Sequence, residues 1–220
     1  MDKFSAFTGI AVALPHSNID TDQIIPKQFL RSVKRTGFGD FLFNDWRYLT
    51  PADLDSDIGK LPLNPDFPLN QQRYKGAQIL ICGPNFGCGS SREHAVWALA
   101  EFGFRAVVSA SFGDIFQTNA AKNGLLPVAV TADAARLMLA NCQAQPGYRL
   151  SVDLEKKQVV EPDATVHSFA IEEGARNRLL AGLDDIAATL QHSGQIKLYE
   201  QKRSQIEPWL FAGDAGDSCA

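Results

Sequence analysis

The chain has 220 residues, of which 45% are hydrophobic and 21% are charged, and its formal net charge is -4. These values are ordinary for one globular domain or for one domain with a small appendage. The negative charge argues against non-specific nucleic-acid binding, which needs a basic surface. No apolar run approaches the ~20 residues of a membrane-spanning helix, and the first residues lack the apolar core of a signal peptide. We therefore expect a cytoplasmic protein with no membrane or nucleic-acid partner.

The N-terminal third predicts one strand followed by irregular structure. Residues 5–14 are mostly apolar and predict a strand that ends at Pro15. A polar turn follows, and residues 23–26 lead from it into a short helix. Residues 31–66 are rich in basic, aromatic, Gly and Pro residues. An irregular segment of this length inside a compact domain is more often functional or interface-forming than idle.

The middle of the chain predicts regular alternation of strands and helices. A continuous apolar run over 78–82 predicts a buried strand, followed by a glycine-rich loop over 83–89 and a helix over 91–102. The next strand is predicted over 105–109. A strand–helix–strand unit of this kind makes the two strands parallel with a right-handed crossover. The elements predicted after it are a helix over 111–122, a strand over 125–130 and a helix over 133–141.

The C-terminal third predicts an antiparallel part and a terminal tail. The predicted elements are hairpin strands over 149–154 and 158–160, a strand over 166–171, and helices over 172–180 and 184–191. Together with the parallel unit, they indicate the α/β class. The last residues are rich in Gly and Asp, so we predict one domain over 1–205 and a flexible tail over 206–220.

The run GSSREH at residues 89–94 follows the predicted buried strand and carries the strongest chemical signal. Ser90 and Glu93 have the spacing of a capping box, in which Ser90 would be the N-cap of the helix. A helix N-terminus also favours an anion, and Arg92 adds a forked donor suited to a carboxylate. Spacing alone leaves both interpretations open, a plain helix cap or an anion site.

Three separated motifs occur in one order along the chain. They are NIDTDQIIP at residues 18–26, NFGCGSSREHA at residues 85–95, and SFGDIF at residues 111–116, which is followed by Asn119 and by GLLP at residues 124–127. These motifs resemble the signature of the swivel domain of the aconitase superfamily, and the resemblance covers most of residues 1–200. The segment over 35–47 is similar to the small subunits of bacterial 3-isopropylmalate dehydratases and is absent from shorter small subunits of the superfamily.

The resemblance implies a three-layer β/β/α swivelling domain, with a mixed parallel core sheet and an additional antiparallel sheet. It also implies the small subunit of a hydro-lyase that isomerises 2-isopropylmalate to 3-isopropylmalate through 2-isopropylmaleate, in leucine biosynthesis. The alternatives are a sister hydro-lyase acting on homoaconitate, citraconate or dimethylmalate, or a non-catalytic anion-binding module at the same helix N-terminus.

The matching positions imply roles for individual residues. Ser90 corresponds to the base that removes a proton from carbon as an alkoxide, and Asp22 corresponds to an active-site acid. A serine can act in this way only where its anion is strongly stabilised. Ser91 and Arg92 correspond to residues that bind substrate carboxylates. The remaining substrate-binding positions are a second arginine, Arg35, and the residues of the expected specificity loop, Leu30 and Arg31.

The resemblance also implies a partner and a cofactor. Chemistry of the aconitase type uses a 4Fe–4S cluster held by three cysteines, with one iron open as a Lewis acid. The cysteines of this chain are isolated in sequence and form no CxxC pair; they are Cys82, Cys88, Cys142 and Cys219. We therefore expect no metal ligand here, and the cluster on a large subunit that forms a heterodimer with this chain around a small dicarboxylate substrate.

Three other features have a functional and a structural interpretation. Cys88 lies in a tight loop near a helix start and is either a nucleophile or a small packing residue. His94 is either a base or a residue that packs behind the helix start. The basic cluster, which consists of Arg31, Lys34, Arg35 and Arg47, is either a solvated face or a contact for the substrate or the partner.

Overall fold

The computed structural model describes residues 1–31 and 36–211. They fall into two compact units, residues 1–182 and residues 183 onward. Seven strands of the first unit form one sheet in the order β4-β3-β2-β1-β5-β6-β7. The strands are β1 (Phe7–Leu14), β2 (Ile79–Cys82), β3 (Ala106–Ser109), β4 (Leu126–Ala129), β5 (Arg149–Asp153), β6 (Gln158–Val160) and β7 (Val166–Ser168).

The strands β1 to β4 are parallel and form the core of the sheet. All residues of β2 and β3 are buried, as expected for strands covered on both faces. Ile79 in β2 is in register with Ala11 in β1 and with Ala106 in β3. The predicted parallel pairing of the strands around residues 78–82 and 105–109 is therefore confirmed.

The antiparallel part is continuous with the parallel part through β1. The first half of β1 pairs with β5, where Phe7 is opposite Val152, and the second half pairs with β2. β6 and β7 extend this side by antiparallel pairing. The α/β class with parallel and antiparallel strands is confirmed, and the antiparallel strands expected as an additional sheet extend the same seven-stranded sheet.

Six α-helices belong to the described part of the first unit. They are α1 (Thr21–Ile24), α2 (Asn44–Arg47), α3 (Glu93–Phe102), α4 (Asp114–Lys122), α5 (Ala132–Ala144) and α6 (Glu173–Ala181). α5 packs against β1, β2 and β3, and α4 contacts both α3 and α6. The prediction that α4 begins at residue 111 was wrong, because the backbone of Ser111 and Gly113 pairs with Phe86 before the helix begins.

The irregular segment before β2 is ordered by buried aromatic rings. Short 3₁₀ turns over 27–31, 39–41, 58–60, 68–70 and 72–74 alternate with extended backbone and α2. Phe29 stacks on Phe41 with ring centroids 4.1 Å apart, and Phe43 stacks on Trp46 at 5.7 Å. Aromatic burial of this size explains how a segment with so little regular structure is held in place.

The second unit is helical. It contains α7 (Asp185–Leu190), α8 (Ser193–Ile206) and a 3₁₀ turn over Pro208–Leu210. The helix predicted over 184–191 is confirmed as α7, whereas α8 was not predicted. Residues 206–211 of the predicted tail are described, and residues 212–220 lie outside the described residues. The predicted boundary at residue 205 stays a prediction.

Candidate active site

Three loops meet at the carboxyl edge of the parallel strands, where they follow β1, β2 and β3. Backbone bridges join Asp20 to Cys88 and Phe86 to Phe112. The Gly87 N–H donates to the Ile19 carbonyl at 2.7 Å. The three motifs that carry the family resemblance, which are far apart in sequence, therefore lie side by side. This edge is where ligands usually bind in open α/β sheets.

Glycine permits the close approach of these loops. A Cβ atom on Gly113 would lie 2.5 Å from the Gly87 carbonyl oxygen, which is too close for any other residue. Gly87 itself has a φ of +72°, and a Cβ atom there would lie 2.2 Å from the ring of Phe116. The glycines in two motifs are thus required by backbone packing.

The start of α1 holds the backbone around Ser90. Asp20 and Gln23 form a capping box: the Asp20 carboxylate accepts from the Gln23 N–H, and the Gln23 side chain accepts from the Asp20 N–H, both at 2.8 Å. With α1 oriented in this way, the buried Thr21 donates its hydroxyl to the Ser90 carbonyl at 2.9 Å and its N–H to the Cys88 carbonyl at 3.0 Å. The position of Ser90 therefore depends on α1.

Ser90 does not cap α3, so the predicted capping box at Ser90 and Glu93 was wrong. The helix begins at Glu93, and its N-cap is Arg92 in an extended conformation. The Glu93 carboxylate accepts instead from the Asn123 side chain at 2.8 Å. Within the described residues, no side-chain hydrogen bond caps α3. Its first N–H groups are thus available to an anion.

The guanidinium of Arg92 forms an ion pair with the carboxylate of Asp22, which joins the first motif to the second. The Arg92 side chain is 13% exposed and that of Asp22 is 49% exposed. Nη1 of Arg92 is buried and is the atom that contacts Oδ1 of Asp22. The Asp22 carboxylate therefore holds the guanidinium where the first and second motifs meet.

Arg92 also lines an open cleft of about 370 Å³. The residues that line this cleft are Leu30, Ser91, Arg92, Glu93, His94, Trp97 and Asn119. Three of the predicted substrate-binding residues thus come together in one cleft, and Asp22 is linked to it through Arg92. A larger depression of about 550 Å³ between α4 and α6 contains none of the predicted residues.

The other predicted residues lie outside the cleft lining. Ser90 is exposed and adjoins Ser91 in the chain. Arg31 is exposed at the end of a 3₁₀ turn, next to Leu30, and Arg35 lies outside the described residues, as does Lys34. Arg47 serves the fold, because its guanidinium donates to two backbone carbonyls.

Sequence reasoning missed two residues of this site. Thr21 precedes Asp22 in the first motif, but only the packing of α1 against the second motif makes it a partner of Ser90. Trp97 follows His94 by three residues on α3, and this helical spacing could have placed it on the same face. Asn119 was quoted within the third motif without a role and lines the cleft.

His94 packs as an aromatic residue of the cleft wall. Its ring lies 4.7 Å from that of Trp97 and 5.1 Å, edge to face, from that of Phe38. Burial lowers the pKa of His94, and this effect outweighs the opposite effect of the neighbouring Glu93 carboxylate. A neutral imidazole packed between aromatic rings agrees with the interpretation of His94 as a packing residue and not as a base.

The described cysteines do not form a metal site. Cys82 and Cys142 are buried and Cys88 is partly buried, and all three are free thiols. Burial raises the pKa of Cys142 to about 11. In the part of the chain that the structure describes, no group of three or more His, Cys, Asp or Glu side chains is placed to hold a metal ion.

No helix within residues 1–31 and 36–211 combines the length and the apolar character that a membrane-spanning segment requires.

Family comparisons match this chain along most of its length. The family described as Aconitase C-terminal domain matches residues 1–133, and the LeuD_N family matches residues 136–173. The family that describes the C-terminal domain of the 3-isopropylmalate dehydratase small subunit matches residues 185–213. The matches follow one another without overlap. The resemblance found in three short motifs therefore extends into the C-terminal part.

Individual relatives agree with the family matches. The chain is 52% identical over 213 residues to the 3-isopropylmalate dehydratase small subunit of Neisseria gonorrhoeae, covering 97% of this chain and 100% of the relative. It is 50% identical over 213 residues to the protein of the same name from Hahella chejuensis, covering 97% and 99%. The crystal structure of 3-isopropylmalate dehydratase from Methanocaldococcus jannaschii is similar with a TM-score of 0.59 and 25% identity, covering 90% of this chain and 99% of that one.

Proposed function

Because the chain belongs to the family of 3-isopropylmalate dehydratase small subunits, we propose that it is the small subunit of a hydro-lyase of leucine biosynthesis. The enzyme converts 2-isopropylmalate to 3-isopropylmalate through 2-isopropylmaleate. It is active only when this chain joins a large subunit in a heterodimer, and it works in the cytoplasm. Residues 1–205 act as the swivelling domain that carries the cleft to the partner.

The observation that carries this proposal is the position of Arg92 at the uncapped start of α3, in the same cleft as Ser91 and Leu30. A guanidinium is suited to bidentate binding of a carboxylate. The neighbouring N–H groups and the positive end of the helix add to the attraction for an anion. Both features fit a substrate with two carboxylates, one of which binds at Arg92.

Asp22 holds Arg92 in place before the substrate arrives. The ion pair restrains the long side chain, so that less rotamer freedom is lost when a carboxylate binds. The half-exposed Asp22 carboxylate contacts the Arg92 guanidinium, which lines the cleft. We assign to it the acid role that the family resemblance implies.

Ser90 moves the proton on carbon. A serine hydroxyl is a weak base, so its alkoxide needs strong local stabilisation. The backbone of Ser90 is held by the Thr21 hydroxyl, and the residues that follow it, Ser91 and Arg92, line the cleft. Ser90 lies two residues before the N-cap of α3. Within this chain, the charge of Arg92 therefore stabilises the alkoxide more than a helix N–H group does.

The large subunit supplies the 4Fe–4S cluster. When bound, such a cluster offers Lewis-acid chemistry for departure of a hydroxyl group. Two properties of this chain support a site that a partner completes: its relatives are named as small subunits, and the cleft is open. This chain contributes carboxylate binding and proton transfer to the shared site.

The apolar part of the substrate lies against the Leu30 side of the cleft. Leu30 is partly buried and is positioned by its neighbour Phe29, which is fully buried. An isopropyl group gains free energy from burial against such a surface. Arg31 is adjacent and exposed, and we assign it, with Arg35, to the remaining charged contacts of the substrate.

Assembly with a large subunit tests this proposal. The chain should be purified alone and with the large subunit of a 3-isopropylmalate dehydratase, followed by iron analysis and a substrate panel. We expect turnover of 2-isopropylmalate by the pair only, with iron in the large subunit. Full activity of the chain alone would contradict the split site, and a preference for homoaconitate, citraconate or dimethylmalate would assign a sister activity.

A further inference from the structure

A carboxylate at the far end of α3 binds the backbone of the segment that leads away from the cleft. Oε2 of Glu101 accepts hydrogen bonds from three consecutive N–H groups, those of Gly37, Phe38 and Gly39, at 2.9, 2.6 and 3.0 Å. Glu101 lies in the last turn of α3, where the helix dipole disfavours a negative charge. Helix stability therefore does not explain an acidic residue at this position, whereas the three converging donors do.

The carbonyl groups of the same turn are held by a cation. Nη1 of Arg47 donates to the carbonyls of Gly39 and Asp40, both at 3.2 Å. Its guanidinium lies over the ring of Phe102, 4.9 Å from the centroid. Gly39 packs so closely on α3 that a Cβ atom would lie 3.0 Å from the backbone of Glu101. The turn is thus fixed to the end of α3 through both its donors and its acceptors.

Fixing this turn places Phe38 behind the cleft. Phe38 is 1% exposed, and its ring contacts those of His94 and Trp97 at 5.1 and 5.9 Å. His94 and Trp97 line the cleft on the α3 side, and Leu30 also lines it. A shift of the Gly37–Gly39 backbone would therefore move the Phe38 ring, and with it the His94 and Trp97 side chains of the cleft wall.

We propose that Glu101 is a positioning residue for substrate binding: it anchors the Gly37–Gly39 backbone and so sets the shape of the apolar side of the cleft. The specificity part of this proposal rests on the proposed function. Glu101 acts through Phe38 and does not touch the substrate. Its loss should weaken binding of the branched part of the substrate more than it slows proton transfer at Ser90.

The test compares Glu101→Gln with wild type in the assembled enzyme. Glutamine keeps the size of the side chain but loses the charge that three N–H groups share. We expect KM for 2-isopropylmalate to rise about fivefold to tenfold, with kcat within about twofold. For a hydroxydiacid with methyl in place of isopropyl, KM should change less. Glu101 is exposed, so the variant should fold.

Asp133→Asn is the matched control, because it removes a carboxylate from the exposed start of α5, where Asp133 pairs with Arg136. It should leave KM and kcat unchanged. Amide hydrogen exchange of this chain without its partner gives a readout that needs no activity: exchange at residues 37–39 should be about tenfold faster in Glu101→Gln than in wild type.

The outcomes separate the two proposals. If wild type does not turn over 2-isopropylmalate, the proposed function fails, and amide exchange still decides whether Glu101 anchors the turn. If wild type is active and Glu101→Gln changes neither KM nor exchange, the inference about Glu101 is wrong. An equal rise of KM for both substrates, or a fall in kcat alone, would also overturn it.

Discussion

The starts of α1 and α3 lie side by side at the same edge of the sheet, but they use their polar side chains in opposite ways. At α1, Asp20 and Gln23 satisfy each other's backbone N–H groups. At α3, no side chain in the described residues caps the helix start, and Arg92 lines a cleft. The capped start of α1 serves the fold, whereas the uncapped start of α3 leaves N–H donors for a ligand.

The other helices of the described residues show what distinguishes α3. Thr131 caps α5, Glu172 caps α6 and Asp184 caps α7 through their side chains. α2, α4 and α8 begin without a side-chain cap, as α3 does. A missing cap therefore does not mark a site by itself. What sets α3 apart is a guanidinium at its start, which lines a cleft together with predicted substrate-binding residues.

Ser90→Ala should separate catalysis from stability at the α3 start. We expect kcat of the assembled enzyme to fall by about 10²- to 10⁴-fold, the usual effect of losing a positioned base. The free energy of unfolding should stay the same, because the Ser90 side chain does not cap α3. Ser17→Ala, at an exposed serine in the neighbouring loop, is the control and should keep full activity. A drop in stability without a change in kcat would restore the simple capping interpretation.

Arg92→Lys should weaken substrate binding while keeping a positive charge. Lysine cannot form the forked contact that a carboxylate makes with a guanidinium. Hydrogen bonds to charged groups contribute about 1.5–3 kcal/mol, so we expect KM to rise about tenfold to a hundredfold. Steady-state kinetics of the assembled enzyme measure this effect. An unchanged KM would mean that the substrate carboxylate binds elsewhere.

Asp20→Ala should affect stability and catalysis together, in contrast to Ser90→Ala. Loss of an N-cap costs about 1 kcal/mol of unfolding free energy. Because α1 carries Thr21 and Asp22, we also expect kcat/KM to fall about tenfold, an effect of positioning. Thr131→Ala is the matched control: it removes the α5 cap at a similar cost in stability and should leave kcat/KM unchanged. Equal activity of the two variants would refute the dependence of Ser90 on α1.

Glu172→Gln should have the smallest effect on the free energy of unfolding, and this effect should appear only at acid pH. The N–H groups of Gly174 and Ala175 lower the pKa of Glu172 from its ordinary value of 4.5. The stability that this carboxylate contributes is therefore present above pH 4.5 and is lost as the pH falls through the lower folded-state pKa. NMR titration should find this pKa below 4.5, and urea unfolding of Glu172→Gln should depend less on pH in this range. A pKa at or above 4.5 would contradict the cap.

Most of the strands and helices could be predicted from local patterns. The apolar run over 78–82 was a buried strand, and residues 184–191 contained a helix. Two of the errors arose where a distant residue binds a group to which the local pattern gave another partner. Ser111 and Gly113 pair with Phe86, so α4 begins later than predicted. Glu93 binds Asn123, and this contact removes it from the capping box that its spacing suggests.

The sequence by itself determined the alternation of strands and helices, the family and the identity of the candidate residues, because hydrophobic periodicity and motif order are local properties of the chain. Only the tertiary structure decided which side chains meet. It pairs Arg92 with Asp22, and it joins the Thr21 hydroxyl to the Ser90 carbonyl by a hydrogen bond. It also joins the Glu101 carboxylate to the backbone of the Gly37–Gly39 turn. These contacts join segments far apart in sequence. The first two form because parallel strands bring their carboxyl ends to one edge, and the third forms because α3 packs its far end against the Gly37–Gly39 turn.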